Sequence, residues 1–388
     1  MFSTRTDWDF RLSPLFALLQ EKRARGETIL DLTESNPTKC GFRYPERDLA
    51  DAGASQRFGV YSPDPKGIPS ARLAIAEWYK QQNIAVDPDR IVLTSSTSEA
   101  YAFLLRLLCN VGETIAVPKP SYPLFEYLAR LNDVLCQEYR LAYDGEWHID
   151  LSSVDDAISS NAEALILVHP NNPTGSFVKK EERDRLVSGA QERKIPLIVD
   201  EVFSAFPFAN DHRRANSFAG TTSTLTFTLT GLSKLAGLPQ MKLAWIVVSG
   251  PDEECSKALQ RLEVIADTYL SVSTPVQQML PRALKDRTVT DQILSRVKEN
   301  YESLKTSVGV GTSATLLQCE GAWSAILRLP ATQSDEEWGI ELLQTAGVLT
   351  HPGHLFDFAL KSCVVVSLLP IEEVFSEGIT RALAVIGR

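Results

Sequence analysis

The stretch ALILVHPNNPTGSFVKKEERDRLVSGAQERKIPLIVDE, residues 164–201, decides the fold. It opens on an unbroken apolar run, breaks at a turn holding two prolines and a glycine, continues as a polar helix-like segment, and closes on a second apolar run. An apolar run of this length between turn signals reads as a strand covered on both faces. A strand, a helix and a strand in succession join parallel neighbours. The same pattern extends outward in both directions. RIVLTSS (90–96), ETIAVPKP (113–120), TLTFTLT (224–230) and LAWIVVSG (243–250) also read as strands ending in turns, and EAYAFLLRLLCNVG and YPLFEYLARLN as helices between them. The expected fold is α/β: a large, doubly wound, mostly parallel sheet. From about 252 to 306 the pattern turns long and helical, and after it come short strands (AWSAILRLP, KSCVVVSLLP) and a closing helix. This predicts a large domain over 45–270, with 1–44 and 271–388 forming a smaller α+β domain.

Composition narrows the function. The 388 residues carry a formal net charge of −10, with 44% hydrophobic and 23% charged residues. An acidic surface disfavours nucleic acid and anionic membrane as partners. No apolar run approaches the roughly 18–20 residues of a membrane span. The N-terminal MFSTRTDWDFRLSP has no apolar signal core. The six cysteines are scattered without CxxC spacing, which reads as reduced thiols in a cytoplasmic protein, and no zinc-ligand spacing occurs, so no metal is expected.

Ligands of such sheets bind at the carboxyl ends of the strands. After RIVLT, Ser95, Ser96, Thr97 and Ser98 sit at a strand-to-helix junction; they either cap the helix or, with its free N–H groups, form an anion site suited to phosphate. After ALILV, the rigid HPNNPTG turn either closes on itself or presents an asparagine amide to a ligand. After PLIV, Asp200 either caps a helix or stands as a carboxylate that is costly there without a partner such as a cationic ring nitrogen. After TFTLTGLS comes Lys234, a lysine in an apolar setting, which either snorkels to the surface or, desolvated, becomes a nucleophilic amine able to form a Schiff base. A phosphate cup, an amide donor, a carboxylate and a nucleophilic lysine together suit pyridoxal phosphate.

With these residues in hand the sequence resembles the fold type I, class I/II aminotransferases over roughly residues 30–380. YSPDPKGIPSAR (61–72), VPKPSYP (117–123), HPNNPTG, VDEVF and the paired lysines of SKLAGLPQMK stand in the family's order. The resemblance implies a pyridoxal-phosphate-dependent aminotransferase that moves an amino group between an amino acid and a 2-oxo acid. It implies Lys234 as the Schiff-base lysine, Asp200 as partner of the ring nitrogen, Asn172 as donor to the phenolic oxygen and a substrate contact, and Tyr122 stacked on the ring. Ser96, Thr97, Ser233 and Lys242 would meet the phosphate. Tyr61 would reach the phosphate of a neighbouring subunit, which implies a homodimer with shared sites. The loop ESNPT would face the substrate, with Asn36 as its contributing side chain.

Three departures stand out. Phe203 occupies a position where the family commonly has tyrosine, so one hydrogen bond to the phenolic oxygen is lost. Lys242 replaces the usual arginine, keeping the charge but not the bidentate fork, and Gly231 stands where a phosphate-binding serine is common. Val365 stands where the family's arginine clamps the substrate α-carboxylate. Arg328, Lys361, His351, His354 and the backbone near Asn36 are candidates to take its place. That change keeps open a pyridoxal-phosphate lyase, decarboxylase, cyclase or oxidase. A ligand-sensing protein without turnover is a third reading, which the retention of Lys234 opposes.

Overall fold

The computed structural model describes residues 1–45, 63–309 and 312–387. Strands are β1 (Leu30–Asp31), β2 (Ile91–Thr94), β3 (Thr114–Lys119), β4 (Leu135–Tyr143), β5 (Trp147–Ile149), β6 (Ala162–Val168), β7 (Leu197–Asp200) and β8 (Thr226–Gly231). They continue as β9 (Ala244–Ser249), β10 (Thr315–Leu316), β11 (Ser324–Arg328), β12 (Val348–Leu349), β13 (His351–Pro352) and β14 (Cys363–Ser367). Eight of them make one sheet in the order β2-β9-β8-β7-β6-β3-β4-β5. β8, β7, β6, β3 and β4 run parallel, while β9 opposes both β8 and β2, and β5 opposes β4. The doubly wound, mostly parallel sheet is therefore present. The carboxyl ends of β2, β3, β6, β7 and β8 share one edge.

Alternation along the strands feeds both faces. Val92, Ile166, Ile198, Phe227, Leu229 and Ile246 pack against the helices Thr97–Leu108 and Asp252–Tyr269 through Phe103, Leu104, Cys255 and Leu262. Their strand neighbours turn the other way. Leu93, Trp245 and Val247 meet Ile75, Tyr79 and Leu280 of the helices Pro69–Lys80 and Thr274–Lys285. Leu165, Leu167, Leu197 and Val199 meet Val154, Leu186 and Ala190 of Leu151–Ser159 and Lys180–Arg193. Each such fully buried side chain contributes about 1.5–3 kcal/mol of transfer free energy, so burial on both faces holds the sheet between helical layers.

A second sheet, β10-β11-β14-β13, is antiparallel and packs Leu327, Val364 and Val366 on the helices Thr288–Ser307 and Glu372–Ile386. β1 pairs with β12, and Leu15 and Leu19 of the helix Pro14–Ala24 cluster with Leu343 and Leu349. The packing changes later than residue 270. The helix Thr274–Lys285 buries Val276, Met279 and Leu280 against the large sheet, and only from Val289 onward do the side chains join the second core. We therefore propose a boundary after Lys285 in place of the expected one at 270. Among the described residues no helix is long and apolar enough to cross a membrane, and no group of His, Cys, Asp or Glu is arranged to hold a metal ion.

Two contacts fix the shared edge. Glu320 is buried, accepts from the Phe177 backbone N–H at 3.1 Å and pairs with Lys179 and, at 3.7 Å, with Arg214. It ties the segment before β11 to the turn after β6. Replacing it removes the partner of two largely buried cations, so Glu320→Ala should cost about 3–5 kcal/mol, read as a lowered urea midpoint with an unchanged slope. The second contact explains Gly231. Gly231 lies directly across from Ala244, and a Cβ built on it would stand 2.7 Å from the Ala244 Cβ and 3.0 Å from the Leu243 carbonyl oxygen. No side chain fits there without moving β9. Gly231→Ser should therefore lower stability by about 1–3 kcal/mol, measured as a fall in thermal midpoint, and should not gain a phosphate contact.

Candidate active site

β7 delivers Asp200 to the shared edge, where it is buried. Its carboxylate accepts from the Val202 backbone N–H at 3.0 Å and from the Tyr101 hydroxyl at 3.1 Å. Burial nevertheless pushes its pKa up to about 6, against the pull of those donors and of Lys234. Glu201 beside it points elsewhere: it is buried, accepts from the Phe218 backbone N–H at 2.7 Å, and burial raises its pKa to about 7.

β8 runs parallel to β7 and ends in Gly231, and the single turn Leu232–Leu235 that follows carries Lys234. Its Nζ lies 5.4 Å from the Trp323 ring centroid and 6.0 Å from that of Phe203. Those two rings pack edge to face at 5.3 Å. Phe203, read from sequence as a lost hydrogen bond, forms an apolar wall of the lysine's enclosure. Burial lowers the lysine's pKa, Asp200 opposes that shift, and the nearby Lys242 adds to it. Lys234 Nζ makes no hydrogen bond to any described residue.

The helix Thr97–Leu108 starts at this edge with Ser96 as its cap, the Ser96 Oγ accepting from Glu99 N–H at 3.1 Å while Glu99 accepts from Ser95 N–H at 2.7 Å. Both expected roles are thus compatible: the serine caps the helix as an acceptor of the Glu99 N–H, and its hydroxyl proton and the N–H groups of Thr97 and Ser98 stay available to an anion. In the turn after β6 the two asparagines divide the work. Asn171 is buried and spends its amide on the Pro120 carbonyl at 3.1 Å and on Thr174 Oγ1 at 3.0 Å. Asn172 accepts from Ser324 Oγ at 3.4 Å through Oδ1, which leaves its N–H groups to donate outward. Tyr122, beyond β3, keeps a half-exposed ring, and its neighbour Ser121 is pinned by an N–H bond to the Phe356 carbonyl at 3.1 Å.

The remaining expected residues are placed less centrally. Ser233 is partly buried on the Lys234 turn, and Lys242 is exposed with φ of 51°. Asn36 spends its side-chain oxygen on Thr38, capping a short turn, while its loop is moored where Ser367 Oγ donates to the Glu34 carbonyl at 2.7 Å. Tyr61 lies outside the described residues. Val365 is buried with Ile326, Phe356 and Trp147 in an apolar cluster. Of the candidates to replace an arginine there, Arg328, Lys361 and His354 are exposed. His351 is half-buried, directly opposite Val365, its ring edge-on to Phe356 at 5.9 Å and its pKa lowered by burial.

Sequence reasoning missed Tyr101, Trp323 and Ser324. Tyr101 had a readable signal, since it lies four residues after Thr97 and so on the same helix face one turn below the expected anion site. Trp323 and Ser324 come from the second sheet and carry no local motif.

Comparison with known proteins gives the family. The family described as Aminotransferase class I and II matches residues 28–374. A glutamate-pyruvate aminotransferase from Haemophilus influenzae is 25% identical, over 92% of this chain and 90% of its own length. An alanine aminotransferase from Mycobacterium bovis is 24% identical, over 92% of this chain and 85% of its own. Among solved structures, an alanine aminotransferase from Pyrococcus furiosus superposes with a TM-score of 0.89 at 23% identity, covering 98% of each chain. The chain thus belongs to the class I and II aminotransferases, fold type I enzymes that transfer amino groups.

Proposed function

We propose that this enzyme carries out transamination between an amino acid and a 2-oxo acid at a pyridoxal phosphate bound covalently through Lys234. The observation that carries the reading is Lys234 itself: a desolvated amine, enclosed by Phe203 and Trp323, without a hydrogen-bond partner among the described residues, beside a buried carboxylate. The donor set fits the cofactor that the family implies. Asp200 keeps lone pairs for a ring nitrogen, Asn172 keeps N–H groups for a phenolic oxygen, and Ser96 and Thr97 offer hydroxyls and N–H groups to phosphate, with Ser233 and Lys242 nearby. Tyr122 offers a ring face, and Asn36 and Asn172 would border the substrate.

Bound there, pyridoxal phosphate supplies an electron sink for the substrate Cα. The chain's own residues do the rest. The lowered pKa of Lys234 raises its neutral fraction near pH 7, so its Nζ can take the Cα proton and return it. The Asp200 carboxylate holds a positive charge on the ring side, and the Phe203–Trp323 wall keeps water from Nζ. Near Val365 the substrate meets apolar surface, and His351 is the polar group that the packing leaves beside it. The first relatives are named for glutamate, pyruvate and alanine, and we read small amino acids as substrates of the same class. We further propose a cytoplasmic homodimer with shared sites, Tyr61 reaching the neighbour's phosphate, a reading supported by the family resemblance.

The buried Val365 in place of a cation favours a second reading, a pyridoxal-phosphate lyase, decarboxylase or cyclase acting on an amino acid. One experiment separates them. Protein loaded with pyridoxal phosphate and reduced with borohydride should yield a labelled peptide containing Lys234, and Lys234→Ala should yield none. Nitrogen-15 from a labelled amino acid should then appear in the amino acid formed from an added 2-oxo acid. Ammonia or carbon dioxide released without any 2-oxo acid would support the second reading instead.

A further inference from the structure

The carboxylate that faces the site is held from an unexpected side. Asp200 and Tyr101 lie 99 positions apart, yet the Tyr101 hydroxyl donates to Asp200 Oδ2 at 3.1 Å inside the protein. Tyr101 is only 4% exposed, and Phe125 holds its ring edge-on at 5.4 Å and 79°. The donor sits on the helix Thr97–Leu108, whose first turn carries Ser96 and Thr97. One rigid element therefore presents both the anion-binding end and a hydrogen bond to the carboxylate at the ring end.

We propose that Tyr101 is a positioning residue for the reaction: its hydroxyl keeps the Asp200 carboxylate ionised and turned toward the cofactor's ring nitrogen, and fixes that carboxylate relative to the phosphate seat. The inference rests on Asp200 being the ring-nitrogen partner. Physically, a buried carboxylate stays charged only by the donors and cations around it. Those facing Asp200 are the Val202 N–H, the Tyr101 hydroxyl and Lys234, with Glu201 as the opposing negative neighbour. Lys242 acts only through Lys234. Tyr101→Phe keeps the ring against Phe125 and deletes one donor, so Oδ2 is left without its partner. Burial already holds the Asp200 pKa up at about 6, and losing the donor raises it further.

The sign follows from linkage. A carboxyl group whose folded pKa lies above its unfolded value destabilises the fold once it ionises, so stability falls as pH rises from the unfolded value through the folded one. Where Asp200 is protonated the missing hydroxyl costs little; where it is charged the cost is full. The gap in thermal midpoint between wild-type apoprotein and Tyr101→Phe should therefore widen between about pH 5 and about pH 8. The dissociation constant for pyridoxal phosphate at neutral pH should rise about tenfold, the range expected for losing a hydrogen bond to a charged group. Adding Tyr101→Phe to Asp200→Asn should cost no further affinity. Phe125→Leu, which loosens the ring but keeps the hydroxyl, should lower stability equally at every pH. A Tyr101→Phe protein with wild-type affinity, or with a midpoint gap that does not change with pH, would overturn the inference. If that occurs while wild type still labels at Lys234 on borohydride reduction and still passes nitrogen-15 to the added 2-oxo acid, the transaminase reading stands and only the role of Tyr101 falls; absence of the label in wild type would overturn both.

Discussion

A carboxylate and an amine of opposite charge, Asp200 and Lys234, share a place from which water is largely excluded, and the rest of the structure depends on keeping them there. Each pulls the other toward its charged form, yet burial outweighs the attraction in both: the acid is pushed up and the base down. Desolvation wins because the groups are not in direct hydrogen-bond contact, while each loses its own hydration. Such a pair cannot be placed by loops alone. Adjacent parallel strands, β7 and β8, fix the two backbones in register, with Asp200 beside Leu229, and one helical turn carries the lysine back over the strand end. The packed layers on both faces of the sheet give that register its rigidity.

The elements that the sequence revealed are those whose pattern is set locally. The runs at 91–94, 114–119, 162–168, 197–200, 226–231 and 244–249 are strands largely covered on both faces, so they are mostly apolar or, at Thr226, Thr228 and Thr230, β-branched. β4 and β5 left no such signal. Leu135–Tyr143 lies toward the sheet margin with much of its surface exposed, and its polar composition, LCQEYRLAY, hides an extended chain. The residues at strand ends were legible for the same reason that the strands were: a charge or a proline-rich turn directly after a buried run is conspicuous.

What stayed hidden is what depends on distant parts of the chain. Glu320, Trp323 and Ser324 reach the site from the second sheet, contacting Lys179, Lys234 and Asn172 respectively. Nothing in EGAWSAIL marks those side chains as site residues, because their roles come from docking one sheet beside the other. The change of packing near Lys285 was hidden in the same way, since a helix facing either core shows the same periodicity. Gly231 shows the opposite case, a local oddity with a non-local cause: its missing side chain answers to Ala244 on the adjacent strand.

That last relation limits the order in which this sequence can change. The space between β8 and β9 at this level holds one methyl group, and Ala244 supplies it. A hydroxymethyl group at 231 costs least where 244 has already given up its methyl or the strands have moved apart. The reverse order passes through a chain with two side chains in one place. The residue at 231 is thus tied to one on the adjacent strand, and substitutions surveyed one at a time at 231 would misstate which residues the position can accept.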